Sequence, residues 1–210
     1  MKKTALFLFG IIMILTASAQ FSAGVNANYT MYRGLFQKST VGTQLRASYT
    51  FNEKTAAVLS FNYGLPIKQE SMVTLQDSYG STSQVPSEIK YKFRTINLLG
   101  HYSFVGGDEA AGKLYGITGI GIVIVSYDET VKENYDKNAY TPMDQVNGKE
   151  NGFTINLGLG GEYKIGAPSV FAEAGLALPA NQANGQYIEN PIPSHFIFNV
   201  GVKFNFGGGE

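Results

Sequence analysis

From Phe21 onward, apolar and polar side chains alternate one for one over most of the chain. Phe21, Ala23, Val25, Ala27 and Tyr29 are interleaved with Ser22, Gly24, Asn26, Asn28 and Thr30. A period of two is the signature of extended strands whose faces meet unlike surroundings. The pattern returns at Val41–Phe51, Ala57–Leu65, Thr95–Phe104, Phe153–Ile165, Ser169–Leu178 and His195–Phe206. One further stretch, Lys113–Tyr127, is ambiguous, because Ile117–Val125 is apolar on both faces and fits a buried strand or a short helix. Its β-branched content and Gly116, Gly119 and Gly121 favour strand. Eight strands of about 10–14 residues are therefore predicted.

The connections alternate in length. Tyr32–Thr40, Pro66–Ser87, Asp128–Lys149 and Pro179–Ser194 are the longer links. Asn52-Glu53-Lys54, Val105–Gly112 and Gly166-Ala167-Pro168 are the shorter ones. Ser71–Ser87 and Asn134–Asn147 are rich in Ser, Asn, Asp, Gly and Pro, which predicts exposed loops. In an even-stranded antiparallel meander this alternation gathers the long loops at one end, as in outer-membrane barrels. About 9–11 tilted residues cross the hydrocarbon, and a sheet placed there must close on itself. Eight strands suffice for closure.

Lys2 and Lys3, the eleven apolar residues Ala5–Leu15 and Ala17-Ser18-Ala19 form a basic region, an apolar core and a cleavage-type sequence. Residues 1–19 are read as a secretory signal peptide, and residues 20–210 as one barrel domain. Without Lys2 and Lys3, 14 of the 16 basic side chains face 16 acidic ones, which argues against a nucleic-acid binder. The absence of cysteine excludes disulfides, thiolate metal sites and a lipidated N-terminal cysteine. No peptidoglycan-binding domain is expected after the barrel.

Alternation alone does not say which face points outward, since a soluble lipocalin-like barrel has the same period around an apolar cavity. A water-facing exterior carries dense Lys, Glu and Asp. Here the polar positions are mostly Gly, Ser, Asn and Thr, which suit a narrow lumen. The apolar face carries Tyr29, Tyr49, Phe51, Tyr63, Tyr102, Phe104, Phe153, Tyr163, Phe204 and Phe206 at its ends, where interfacial girdles lie. The expected architecture is an all-β, eight-stranded antiparallel up-and-down transmembrane barrel with long loops at one end.

The last strand, Asn199-Val200-Gly201-Val202-Lys203-Phe204-Asn205-Phe206, resembles the barrel-assembly signal of outer-membrane proteins, a polar residue, Gly, an apolar residue and a final aromatic. Asn199, Gly201, Phe204 and Phe206 carry that resemblance, and Gly207–Glu210 beyond them depart from it. The whole mature chain resembles the small eight-stranded OmpA-like or OmpX-like porin-family barrels in the style of Bacteroidetes. The resemblance implies a place in the bacterial outer membrane, insertion by the barrel-assembly machinery, and lipid and lipopolysaccharide as surroundings. No cofactor is implied.

Candidate chemistry is sparse. Gly107–Lys113 matches part of a phosphate-binding loop, but Leu114 replaces its Ser/Thr and a strand follows it. Gly119-Ile120-Gly121 lacks the third glycine of a dinucleotide fingerprint. His101 and His195 fall on lumen positions at opposite ends, too far apart to share a metal. Neither a metal site nor a catalytic set is expected. Arg46, Glu162, Lys164, Glu173 and Lys203 all lie on the polar face, where a narrow lumen requires charges to pair or to keep waters. They are expected to form an ion-pair plug, with a narrow conduit for water or small solutes as the alternative. Tyr79, Tyr135, Tyr140 and Tyr187 lie in the long loops, where they either pack together or offer a binding surface. Lys90, Lys92 and Arg94 extend the fourth predicted strand beyond the membrane towards anionic head groups. The expected role is structural or surface-interacting and not enzymatic, with no surface ligand identified.

Overall fold

The computed structural model describes residues 20–33, 37–106, 110–132, 135–166, 168–180 and 192–206. Among the described residues ten strands are formed: β1 Gln20–Tyr32, β2 Ser39–Asn52, β3 Thr55–Gly64, β4 Ile67–Asp77, β5 Thr82–Val105, β6 Gly112–Val131, β7 Tyr140–Pro142, β8 Asn147–Lys164, β9 Pro168–Pro179 and β10 His195–Phe206. Eight of them run antiparallel in the order β3-β2-β1-β10-β9-β8-β6-β5, and pairing of β3 with β5 closes the ring. Closure gives the backbone groups of each spanning segment a neighbour on both sides, the condition for strands in hydrocarbon. Residues 1–19, which the sequence reads as a signal peptide, lie outside the described residues, as do Gly107–Glu109, Tyr187 and Gly207–Glu210.

Side chains alternate around this ring as expected. Leu45, Leu59, Leu98, Ile120, Leu159 and Val200 project outward, each about half exposed or more. Asn26, Gln44, Ser60, Asn97, Thr154 and Asn199 are buried inside. That polarity is the reverse of a lipocalin-type cavity. It also resolves Ile117–Val125. The segment is strand, with Ile120 and Ile122 on the outer face and Val123 and Val125 buried within the mouth at the long-loop end.

Short turns close the other end. Asn52 Oδ1 accepts the backbone N–H groups of Lys54 and Thr55 at 3.0 and 2.9 Å, the local turn that asparagine favours. Gly106 and Gly166 supply φ values of 73° and 72°.

The strands are longer than expected on one side. The segment Pro66–Ser87 is not an irregular loop: β4 and the first half of β5 form a hairpin, paired from Ile67↔Tyr91 to Gln76↔Thr82. The fourth predicted strand, expected to follow a link ending at Ser87 and to carry Lys90, Lys92 and Arg94 beyond the membrane, begins at Thr82 and runs for 24 residues. β7 adds three residues to the other edge of β4. Val73 and Leu75 are buried, so the alternation continues through a stretch whose polar composition hides it. One face of this projecting sheet is solvated, which explains the Ser, Gln and Thr content.

Lys132 bonds Glu70 at 2.8 Å and Lys68 bonds Glu88 at 2.9 Å on the projecting sheet. These partners hold both carboxyls below their ordinary range, through the hydrogen bond first and the charge second. Their contribution is therefore present above the unfolded carboxyl pKa and is lost as the pH falls through the lowered values. Exposed pairs of this kind are worth little.

The interior leaves no room for extra atoms at several glycines. A Cβ on Gly160 would sit 2.5 Å from the Tyr115 ring and 2.9 Å from Glu173 Cγ, whereas on the outward Gly161 the nearest atom is the end of the Leu114 side chain, at 3.2 Å. Gly160→Val is predicted to destabilise the detergent-folded protein by about 1–3 kcal/mol. Gly161→Ala should stay within about 0.5 kcal/mol of the parent. Urea titration read by gel mobility before and after boiling measures both, and equal losses would contradict the packing around Tyr115.

Candidate functional site

The lumen is built in layers along the strands. Nearest the short turns, Ser22 and Ser48 bond each other through their hydroxyls. In the same region Lys203 Nζ lies 2.7 Å and Lys113 Nζ 3.6 Å from Glu162 Oε2. The next layer holds Arg46 Nη2 against Glu173 Oε1 at 2.8 Å. The two side chains come from β2 and β9, which β1 and β10 separate in the ring, so Arg46 reaches across the lumen to Glu173. Asn199 opposes Glu173 on one side and Asn28 on the other, which places its amide within reach of the same carboxylate. The Arg46 guanidinium carbon also lies 4.2 Å from the centre of the Phe171 ring.

Glu173 is the most fully coordinated of these groups. Besides Arg46, its Oε1 accepts the Tyr115 hydroxyl at 2.9 Å and its Oε2 accepts Asn199 Nδ2 at 3.2 Å. Asn199 Oδ1 in turn accepts Asn26 Nδ2 at 3.1 Å. Such saturation is what allows a carboxylate to remain charged in a buried site. Above this layer the network is neutral: Gln44 and Asn97 both donate to Ser60, Asn156 donates to Asn97, and Asn28 donates to Asn62.

The mouth at the long-loop end is apolar. Tyr32, Ile67, Phe93, Val123, Val125 and Ile192 form a buried cluster, with Tyr32 and Phe93 stacked at 4.4 Å. Gly152 makes room for Ile192, since a Cβ there would sit 2.2 Å from Ile192 Cδ1. Two interior cavities, of about 20 and 40 Å³, lie on either side of the central pair. Arg46 lines the one towards the short turns and Glu173 the one towards His195. Each has space for waters and no more, as a single water needs about 10–15 Å³.

Of the five charges expected in the lumen, Arg46 and Glu173 form one pair, and Glu162 and Lys203 another. Lys164 is inward and half-buried, and it makes no ion pair among the described residues. Lys113, Tyr115 and Phe171 complete the site, and the sequence pattern does not single them out as lumen residues. Lys113 and Tyr115 open the ambiguous Lys113–Tyr127 stretch, just before the part that is apolar on both faces. Phe171 breaks the polar alternation of β9. The parity of β9 would have revealed it, since Ser169, Phe171 and Glu173 necessarily share a face.

His101 stacks on Tyr115 at 4.6 Å, whereas His195 sits at the other end, 5.2 Å from the Tyr32 ring and 3.1 Å from the Pro193 carbonyl. No cluster of three or more metal-ligating side chains occurs among the described residues. Asn199 and Gly201 of the final strand face inward, and Phe204 and Phe206 lie on the outer face, about half exposed.

Several solved structures share this fold. A major outer membrane protein of Thermus thermophilus superposes with a TM-score of 0.60 at 14% identity, over 90% of this chain and 100% of that one. Neisserial surface protein A gives 0.56 at 11% identity, over 89% and 97%. Ail, the attachment invasion locus protein of Yersinia pestis, solved with the heparin analogue sucrose octasulfate, gives 0.52 at 11%, over 90% and 99%. The chain has the fold of a small outer-membrane barrel. No family model and no curated protein matches the sequence.

The lumen makes an energetic prediction. Glu173→Ala leaves Arg46 buried without its carboxylate and should destabilise the barrel by about 3–5 kcal/mol. Replacing both partners, Arg46→Met with Glu173→Met, should recover most of that loss. Urea unfolding in detergent measures the cycle. A double variant as unstable as the single one would mean that the pairing itself is not what Glu173 supplies.

Proposed function

We propose that the chain is an integral barrel of the bacterial outer membrane with a structural and surface-interaction role. One observation carries this reading: a closed eight-stranded ring whose outer face is apolar and whose interior is hydrogen-bonded polar side chains. In water that outer face would expose far more contiguous apolar surface than a soluble monomer tolerates. Residues 1–19 serve as the export signal, and the final strand with Asn199, Gly201, Phe204 and Phe206 is what the barrel-assembly machinery engages. No catalytic role is proposed.

The lumen is closed to solutes by its own side chains. The saturated Arg46–Glu173 layer, the Glu162–Lys203 pair with Lys113, and the apolar cluster around Tyr32 and Phe93 support this. The two water-sized cavities favour a second reading, a narrow path for water with the ionic layer as its barrier. A surface role is supported by the projecting hairpin. Tyr79 at its tip is 93% exposed, and Met72 and Met143 also lie open away from the apolar belt. The hairpin turn itself is fixed, because Asp77 Oδ1 accepts the N–H groups of Tyr79 and Ser81.

Envelope fractionation tests the location. The protein should remain in the outer-membrane pellet and change gel mobility on boiling, and release by osmotic shock as a detergent-free soluble protein would end the reading. Planar-bilayer recording tests the closed lumen. Neither the parent nor Glu173→Ala should open a sizeable conductance, because an eight-stranded interior is filled by side chains. A stable channel in the parent would transfer the assignment to a porin.

A further inference from the structure

The outer surface just above the apolar belt is cationic at the long-loop end. We infer that this rim, formed by Arg33, Lys68, Lys90, Lys92, Arg94 and Lys149, binds the phosphate groups of a phosphorylated glycolipid in the outer leaflet. The inference rests on the proposed membrane placement and deepens it by naming the lipid chemistry and the residues.

Strand register stacks these cations in rows. Arg94 on β5 lies between Tyr63 on β3 and Ile124 on β6, at the upper edge of the belt. Two residues further out, Lys92 lies opposite Ser126, and Ser126 opposite Lys149. Two further still, Lys90 lies between Lys68 and Asp128. Each step of two residues advances about 6.5 Å along the strand, so at the tilt of about 35–45° usual in such barrels the band is roughly 10 Å deep, the scale of a head-group layer.

Two arginines are fixed at interfacial depth by aromatic rings. The Arg33 guanidinium carbon lies 4.5 Å from the centre of the Phe196 ring, and that of Arg94 lies 5.7 Å from Tyr63. Their apolar stems therefore rest on the girdle while their charges face the head groups.

Lys68 is paired with Glu88, but the other five cations of the band are not neutralised from within. Lys68 and Lys90 are direct cross-strand partners, and like charges so placed repel. Glu88 and Glu70 lie further from the belt and are engaged by Lys68 and Lys132. Arg33, Lys90, Lys92, Arg94 and Lys149 make no ion pair among the described residues. Asp128 alone supplies an acid within the three rows. An array of cations beside hydrocarbon attracts anionic lipid head groups.

At the opposite rim the arrangement differs. Phe51, Tyr102, Phe104, Tyr163, Phe204 and Phe206 occupy the outer face, while Lys113, Glu162, Lys164 and Lys203 point into the lumen. Among the described residues Lys54 is the one exposed cation in a turn at that rim, so the cationic band belongs to one leaflet. A phosphorylated glycolipid confined to the outer leaflet has the charge, the depth and the sidedness that this rim requires.

The test uses the full chain refolded into phosphatidylcholine vesicles, alone, with diphosphorylated lipid A, or with the same lipid A dephosphorylated. The unfolding temperature is read from gel mobility. The phosphorylated lipid should raise it, and the dephosphorylated lipid should not. The combined variant Lys90→Gln/Lys92→Gln/Arg94→Gln should lose at least about half of that rise. Lys54→Gln, in a turn at the other rim, should keep all of it. Equal rises with both lipids, or a full rise in the triple variant, would overturn the inference. The same rise produced by inorganic tripolyphosphate in plain phosphatidylcholine vesicles would also overturn it, because the rim would then be a site for soluble polyanions. Failure to fold into phosphatidylcholine at all would instead refute the membrane placement.

Discussion

A strand in hydrocarbon has no solvent to satisfy its backbone, so every N–H and C=O must be taken up by a neighbouring strand. In this chain the requirement is met by the β3–β5 pairing, which joins the two edges that an open eight-stranded sheet would leave. Closure with so few strands makes the interior narrow, and that narrowness governs the choice of side chains within it. Inward positions are mostly Gly, Ser, Asn and Thr, with aliphatics such as Val58, Leu99 and Ile117 among them, and two of the larger inward residues fill space beside a glycine. Tyr115 occupies space that Gly160 leaves, and Ile192 space that Gly152 leaves.

Polar side chains confined without bulk water must satisfy one another, which converts a steric constraint into an electrostatic one. The Asn and Gln layer does so in part with neutral partners, leaving Asn26 Oδ1, Asn28 Oδ1 and Thr154 Oγ1 buried without one among the described residues. The charged layers use the more demanding solution, in which Glu173 receives Arg46, Tyr115 and Asn199 together. An ion pair buried in this way is not in itself a source of large net stability, because desolvation offsets much of the attraction. Its effect is on specificity. A registry slip of one residue would turn Arg46 and Glu173 towards lipid, where an unpaired charge at the midplane costs about 2–4 kcal/mol.

The ring itself was legible in the sequence because one physical rule, apolar out and polar in, holds at nearly every position from Phe21 to Phe206. Legibility failed where a second rule replaced it. In Pro66–Ser87 the strands leave the membrane, the outward side chains become polar, and the alternation shrinks to Val73, Leu75, Val85 and Ile89. Turn-forming composition then outweighs a weak period. Within the lumen, Phe171 and Tyr115 escape the pattern because an inward aromatic contradicts a simple polar-face rule. Arg46 takes up Phe171 through its guanidinium face, and Glu173 takes up Tyr115 through the hydroxyl. Both aromatics thus make a contact to the ionic layer, a relation that single positions cannot reveal.

The two mouths of the barrel solve different problems with the same ring. Towards the short turns, charged side chains point inward, where Glu162 receives Lys203 and Lys113, and the outer face stays aromatic down to Phe206. Towards the long loops the arrangement inverts: apolar side chains from β1, β5, β6 and the segments at Ile67 and Ile192 gather inside, and cations move to the outer surface. The inversion follows from β5, β6 and β8 running on past the belt as a continuous sheet. Once those strands emerge from hydrocarbon, their outward positions no longer have to be apolar, while their inward positions still face a closed mouth. Apolar packing among Phe93, Val123 and Val125 then holds the mouth together where water is available to compete for polar contacts. The outward positions are thereby free to carry Arg94, Lys92 and Lys90 without any cost to the core.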